Sequence, residues 1–361
     1  MQRRRFLTLA GAGGAALAAP AVAQEAPAVN WRMPSSFPRS LDTVWGAAEF
    51  LAARVAAMTD GKFTIRPFSA GELVPPLQVL DAVQNGTTEC GHTAGFYYLG
   101  KQPALVFDTG VPFGLTPRQH TAWLLHGGGQ ALVDELYAGF NALAIPCGNT
   151  GAQMGGWFRK EIKAPDDLKG LRIRTPGLLS MVYEKLGAIP QQVAGSDIYP
   201  ALEKGALDAV EFVGPYDDEK LGFAKVASYY YGPGVLELGA SLCLAINRDS
   251  WAKLPPRYQE VLRAASASAA ADLLAKYDAN NIPALKRLVG QGVKLKGWPP
   301  AVMDAMQRAT REVLDDYAAK SPEFAKVLAS WRAFRDGQLL WASVNDGAAE
   351  NYLMATRERG L

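Results

Sequence analysis

From residue 30 to about residue 230, short apolar runs alternate with longer stretches in which apolar residues recur every three or four positions. The first rhythm marks buried strands and the second amphipathic helices. Residues 30–33 read as a strand, 41–58 as a helix, 62–67 as a second strand after the Asp60-Gly61 turn, 74–85 as a helix closed by Gly86, and 89–93 as a third strand. Residues 143–147 form a further strand, followed by the turn Gly148-Asn149-Thr150-Gly151. From about Pro255 the pattern is mostly helical, over 257–277, 300–320 and 322 to the end, with 292–295 the only interruption by a strand. Such alternation predicts an α/β fold with mixed sheets covered by helices. A length of 361 residues favours two domains.

One strand-helix-strand stretch carries candidate chemistry. Residues 171–175 read as a strand that is stopped by Pro176-Gly177 and followed by a helix over 178–186. The next strand, 189–193, leads through a loop into a helix over 199–204, which ends at Gly205, and 207–212 forms one more strand. Arg174 and Glu211 therefore lie at neighbouring strand tips, where open α/β sheets gather ligands. A planar guanidinium there suits a bidentate grip on a carboxylate. An ordinary ion pair between the two side chains fits the same pattern. The aromatic triplet Phe96-Tyr97-Tyr98 follows the third strand, where it serves either core packing or a ligand pocket.

Composition narrows the field. With 49% hydrophobic and 20% charged residues, the chain has the make-up of a globular protein. Its formal charge of +2 includes Arg3, Arg4 and Arg5. These open a twin-arginine export signal, Arg3-Arg4-Arg5-Phe6-Leu7, with a Gly/Ala-rich apolar core and an Ala21-Val22-Ala23 cleavage site. Cleavage after residue 23 leaves a mature net charge of −1, with nothing to attract nucleic acid or anionic membranes. The three cysteines form no CxxC, and the three histidines have no zinc-ligand spacing. Enzyme motifs fail in context. Gly11-Ala12-Gly13 lies in the signal, His126-Gly127-Gly128-Gly129 has no GxSxG to serve, and Asp108-Thr109-Gly110 occurs once.

Three stretches carry a resemblance to a known family: Gly148-Asn149-Thr150-Gly151 with Gln153-Met154-Gly155-Gly156-Trp157-Phe158; Asp197-Ile198-Tyr199-Pro200-Ala201-Leu202-Glu203-Lys204-Gly205; and the run from Val213 through Gly214-Pro215-Tyr216-Asp217-Asp218 to Phe223. Over essentially its whole mature length the chain resembles the DctP-type solute receptors of TRAP (tripartite ATP-independent periplasmic) transporters, and most of all the members that bind 2-oxo acids. The resemblance implies a two-lobed periplasmic binding protein that closes by a hinge on a small monocarboxylate, such as pyruvate, 2-oxobutyrate or lactate, for delivery to a membrane permease. It implies lobe 1 over 24–145 plus about 231–265, lobe 2 over 146–230 plus about 285–320, a connecting helix over 266–284, and a C-terminal helical segment over 321–361.

By the same resemblance Arg174 clamps the ligand carboxylate, while Gln153, Glu211, the backbone carbonyl of Phe212 and Glu237 hold a bridging metal ion. Asn149 and Phe96-Tyr97-Tyr98 line the ligand. Charge agrees with a cation. Glu211, Glu237 and a ligand carboxylate set three negative charges against the one positive charge of Arg174, an unfavourable sum in a closed cleft. Oxygen donors of this kind suit Na⁺ or Ca²⁺. The chain departs from its relatives at Val235-Leu236, where two tryptophans are usual, and at Phe212, where another is usual, so a longer ligand tail is expected to fit. The relatives pair by exchanging the C-terminal helix, which implies a homodimer here; packing of that helix onto its own lobes is the alternative. A secreted hydrolase with a carboxylate site and a sensory receptor of the same fold remain the other functional readings.

Overall fold

The structure is a computed structural model and describes residues 27–234 and 238–356. The export signal expected over 1–23 lies outside the described residues, as do Val235, Leu236 and Glu237. Eleven strands appear among the described residues: β1 Val29–Pro34, β2 Phe63–Phe68, β3 Cys90–Thr93, β4 Ala142–Asn149, β5 Gly156–Phe158, β6 Arg172–Arg174, β7 Ile189–Gln191, β8 Ala209–Val210, β9 Tyr229–Gly232, β10 Ser241–Asn247 and β11 Lys294–Gly297.

They divide between two lobes. In the first, β1 and β2 pair in parallel, and β10 lies between β3 and β4, antiparallel to both. A bridge between Ser35 and His92, with the Ser36 N–H donating to the His92 carbonyl at 2.9 Å, joins β1 to β3 and so unites the two groups. All seven residues of β10 are buried, as befits a central strand covered on both faces. The second lobe is one mixed sheet in the order β11-β9-β5-β8-β6-β7. The expected mixed α/β, two-lobed architecture is thus the observed one. Two strands run past the expected lobe limits. β4 continues beyond residue 145 to Asn149, and β9 pairs within the second sheet through Gly232.

The largest departure from the sequence reading is the helix Pro256–Gly290, which continues well past Tyr277. At about 1.5 Å per residue it is roughly 50 Å long. Its early turns serve the first lobe, with Tyr258 stacked on Phe63 and Leu273 lying against Gly148. Its later turns serve the second, with Asn281 accepting from the Tyr216 N–H at 3.2 Å and Arg287 paired to Glu219 at 2.6 Å. The helix Pro300–Lys320 begins and ends where the sequence predicts. The next helix, Pro322–Val344, returns to the first lobe, where Phe324 and Trp331 pack on Phe107. The apolar face that the spacing of Phe324, Val327, Leu328, Trp331 and Phe334 predicts packs within the chain, the first four buried and Phe334 half-buried. Leu339, Leu340, Trp341, Val344, Tyr352, Leu353 and Met354 beyond it are exposed. No helix among the described residues is long and apolar enough to cross a membrane. The three cysteines are buried and free.

Two buried carboxyls tie the short helix Pro215–Leu221 to its surroundings. Asp217 accepts from Thr43 Oγ1 at 2.5 Å, in the first lobe, and from the Tyr277 hydroxyl at 2.6 Å, in the long helix. Asp218 accepts from Trp157 Nε1 at 2.9 Å and the Tyr230 hydroxyl at 2.7 Å, both in the second sheet. Burial disfavours the charged form, so Asp217 is pushed up to about 6 and Asp218 to about 7. A carboxyl raised in this way stabilises the fold most when protonated. Its contribution is complete below about pH 4, the ordinary carboxyl range, and is lost as pH rises through 6 and 7. Asp218→Asn removes the titration but keeps an oxygen for Trp157 and Tyr230. In urea unfolding at pH 5, 6 and 7 the variant should therefore gain on the wild type as pH rises, by up to about 1.4 kcal/mol per pH unit. A stability gap independent of pH would contradict this account.

Candidate functional site

The site is assembled where the strands of the second sheet run out. β8 is shorter than expected: its pairing with β6 ends as Glu211 donates its N–H to the Arg174 carbonyl at 2.9 Å, and the chain then leaves the sheet. The segment from Glu211 to Val213 bends away from the sheet and presents side chains and a free-standing carbonyl at the strand tips. Arg174, at the end of β6, is 1% exposed. Its Nε donates to the Val193 carbonyl at 3.0 Å and its Nη1 to the Glu211 carbonyl at 2.6 Å. The Phe212 ring lies 5.3 Å from the guanidinium carbon. Two backbone acceptors and an aromatic face thus fix the plane of the fork. Its three remaining N–H donors, including both on Nη2, have no acceptor among the described residues.

A second cluster adjoins the first. Gln153 and Glu211 are buried, and the amide end of Gln153 lies 3.0 Å from Glu211 Oε1 and 3.2 Å from the Phe212 carbonyl oxygen on one side. On the other side it meets Thr150 Oγ1 at 3.0 Å. With Nε2 toward Thr150, the amide oxygen faces two further acceptors, and oxygens so close repel unless a positive centre lies among them. With the amide turned over, its NH₂ donates to both oxygens. In both orientations a positive centre, an ion or the amide NH₂, suits that side. An amide, a carboxylate and a carbonyl form a hard oxygen set of the kind that holds Na⁺ or Ca²⁺, so these residues fit such an ion. The described residues contain no cluster of three His, Cys, Asp or Glu side chains able to bind a metal. Glu237 lies outside the described residues.

Backbone approach at this point depends on glycine. Gly234 donates its N–H to the Gln153 carbonyl at 2.9 Å, and a Cβ there would sit 2.5 Å from that carbonyl. Gly177, at φ +61°, opens the helix Gly177–Lys185 against Phe96, whose Cβ would lie 2.9 Å from any added Cβ.

The first lobe contributes the facing wall. Phe96 packs on Gly177, and the Tyr97 carbonyl accepts from Gln192 Nε2 at 3.0 Å, so both residues touch the second lobe next to β7. Tyr98 is placed differently. It is 1% exposed, and its hydroxyl is engaged by the Leu80 N–H at 3.0 Å and by Thr93 Oγ1 at 2.9 Å, within the first lobe. Asn149 ends β4 and uses its Oδ1 to accept the Gly151 N–H at 3.0 Å, which shapes the crossing between the lobes. The geometry therefore brings together Arg174, Gln153, Glu211 and Phe212, with Phe96 and Tyr97 at the lobe contact. Tyr98 lies in the packing behind them.

Three neighbours were not singled out from the sequence. Thr150 touches Gln153, and Thr175 lies 3.5 Å from Glu211 Oε2. The Tyr183 hydroxyl is buried without a partner among the described residues, and burial together with the nearby Glu211 pushes it well above the usual phenol range. Thr150 and Thr175 adjoin residues that the sequence did mark. Tyr183 belongs to an apolar helix face and carries no such signal.

Known proteins agree with this architecture. A monocarboxylate 2-oxoacid-binding periplasmic protein of Nostoc sp. is 50% identical over 331 residues, covering 92% of this chain and 91% of its own. A TRAP transporter solute-binding protein of Bordetella bronchiseptica, with calcium and picolinate in the occupied site of a mixed-occupancy dimer, is 48% identical. It superposes with a TM-score of 0.91 over 93% of this chain and 100% of its own. A counterpart from Pseudoalteromonas atlantica with bound sodium and pyruvate is 37% identical, with a TM-score of 0.87 over 90% of this chain and 98% of its own. The family model for bacterial extracellular solute-binding proteins, family 7, matches residues 35–321. The chain belongs to that family, the DctP-type solute-binding proteins.

Proposed function

We propose that the protein is the periplasmic receptor of a TRAP transporter, that it binds a small monocarboxylate between its lobes, and that it passes it to the permease subunits without chemical change. The observation that carries this reading is the meeting of Arg174 with a cluster of oxygens at the strand tips. Three donors of the Arg174 fork have no acceptor among the described residues, and beside it lie oxygens of the kind that hold a cation. A 2-oxo acid such as pyruvate or 2-oxobutyrate, or a 2-hydroxy acid such as lactate, answers both at once. Its carboxylate takes the fork, and a carboxylate oxygen together with the adjacent keto or hydroxyl oxygen completes the shell of Na⁺ or Ca²⁺. Gln153, Glu211, the Phe212 carbonyl and Glu237 hold that ion in this reading. Phe96, Tyr97 and Asn149 close the first-lobe side, with Tyr98 supporting them from behind. The ligands and ions seen in the Bordetella and Pseudoalteromonas proteins support the assignment. Between β4 in the first lobe and β5 in the second the chain runs through 150–155, which serves as a hinge segment in this reading.

Stoichiometric binding of pyruvate in calorimetric titration, with no product formed, is the expected result; turnover of the acid would favour a hydrolase instead. Arg174→Lys keeps the charge but loses the fork, and should cost roughly 2–3 kcal/mol of binding free energy. Near wild-type affinity in that variant would remove Arg174 from the site.

Cation and acid share ligands here, so each must raise the other's affinity by the same factor. Exhaustive chelation in sodium-free buffer should weaken pyruvate binding at least tenfold, and Glu237→Gln should do likewise. Affinity unchanged under those conditions would refute the bridging ion.

The exposed apolar residues from Leu339 to Met354 form a surface too large for a solvated terminus, and a dimer of this chain would cover it. Light scattering at micromolar concentration should give about twice the chain mass, and Trp341→Glu should halve it. A wild-type monomer would exclude the dimer.

A further inference from the structure

We propose that Thr150 is a positioning residue for the cation, whose hydroxyl decides which end of the Gln153 amide faces Glu211 and the Phe212 carbonyl. The inference rests on the cation reading above and extends it to a residue that binds neither cation nor acid. Thr150 is buried and clasped from both directions. Its N–H donates to the Ala240 carbonyl at 3.0 Å, and its Oγ1 accepts from the Ala240 N–H at 3.0 Å. Oγ1 also donates to the Gly151 carbonyl at 3.1 Å and meets the Gln153 amide at 3.0 Å.

A hydroxyl has one proton and two lone pairs, which allows two arrangements. In the first, the proton goes to the Gly151 carbonyl while both lone pairs accept, one from Ala240 and one from Gln153 Nε2. The Gln153 oxygen is then turned toward Glu211 Oε1 and the Phe212 carbonyl, which is the arrangement a cation requires. In the second, the hydroxyl rotates and donates to the Gln153 oxygen. The amide NH₂ then donates to Glu211 Oε1 at 3.0 Å and the Phe212 carbonyl at 3.2 Å, in the cation's place. The second arrangement pairs the amide with Glu211 and Phe212 without an ion, at the loss of the hydroxyl's bond to the Gly151 carbonyl, whereas the first needs an ion among its three oxygens; the two differ by one hydroxyl rotation and one amide turn. The cation-free protein thus keeps the Glu211 and Phe212 acceptors satisfied without collapse, and the cation displaces a weak stand-in rather than entering a cluster of repelling oxygens. A hydroxyl can support both states. A methyl group supports neither, and would leave the amide free to hold the arrangement that excludes the ion.

Calcium titration of chelator-treated, ligand-free protein by calorimetry tests the proposal without reference to transport. Thr150→Val should lower calcium affinity 10–100-fold, the range found when a supporting contact to a metal ligand is lost. Thr150→Ser should stay within about threefold of wild type. Wild-type affinity in a folded Thr150→Val protein would overturn the proposal. A second measurement needs no valine variant. In protein labelled with ¹⁵N at glutamine, the Gln153 side-chain NH₂ signal, assigned by its loss in Gln153→Met, should shift on calcium addition as its acceptors change from Glu211 and Phe212 to Thr150. A Gln153 signal that stays fixed while calcium binds would overturn the role of Thr150 alone. Failure of wild-type protein to take up calcium or sodium at all would overturn the cation reading, and the role of Thr150 with it.

Discussion

Oxygen atoms brought close together in a dry interior need a proton or a positive ion among them, and the site of this receptor is built on that need. The Gln153 amide, Glu211 Oε1 and the Phe212 carbonyl converge within about the length of a hydrogen bond. None of the three is placed there by chance of packing. Glu211 and Phe212 are delivered by a strand that stops early, and Gln153 by a crossing segment pinned through its own carbonyl to Gly234. The placing of these oxygens is therefore fixed by backbone hydrogen bonds. Preorganisation of this kind lowers the cost of ordering the site when it is filled.

Arg174 meets a related demand by another route. Around a guanidinium 1% exposed, the carbonyl oxygens of Val193 and Glu211 and the face of Phe212 stand in for part of its lost water. Those contacts hold one edge of the group and leave its other donors without an acceptor among the described residues. The arginine and the oxygen cluster are covalently linked through Glu211, whose carbonyl serves the first and whose carboxylate serves the second. A shift of that one residue would disturb both halves of the site together.

Much of this was legible in the sequence, though unevenly. Arg174 and Glu211 announced themselves because strand, breaker and helix signals locate a strand tip without knowledge of the partner strands. The helix Pro300–Lys320 was readable to the residue, since proline sets its start and Ser321-Pro322 its end. β10 was not readable. Its seven buried residues show no alternation, and a short apolar run does not distinguish strand from helix. The helix Pro256–Gly290 runs beyond 277 through Asn280, Asn281 and Pro283, all poor helix formers, because packing against both lobes carries it through. Thr150 was quoted only as part of a motif. Its role depends on Ala240, 90 residues away, and on the count of lone pairs at one hydroxyl, neither of which a linear pattern records.

The path of the backbone has an evolutionary consequence. Each lobe is stitched from separate segments: β4 and β10 share a sheet although all of β5 to β9 lies between them in the chain, and β11 returns to the second sheet after the long helix. A single recombination event anywhere between β3 and β11 would leave at least one sheet with strands from two parents. New substrate preferences in such a receptor cannot readily arise by trading whole lobes, as they do in proteins built from contiguous modules. They must accumulate by point changes in the short segments at the strand tips, where a few residues alter the ligand without disturbing either sheet.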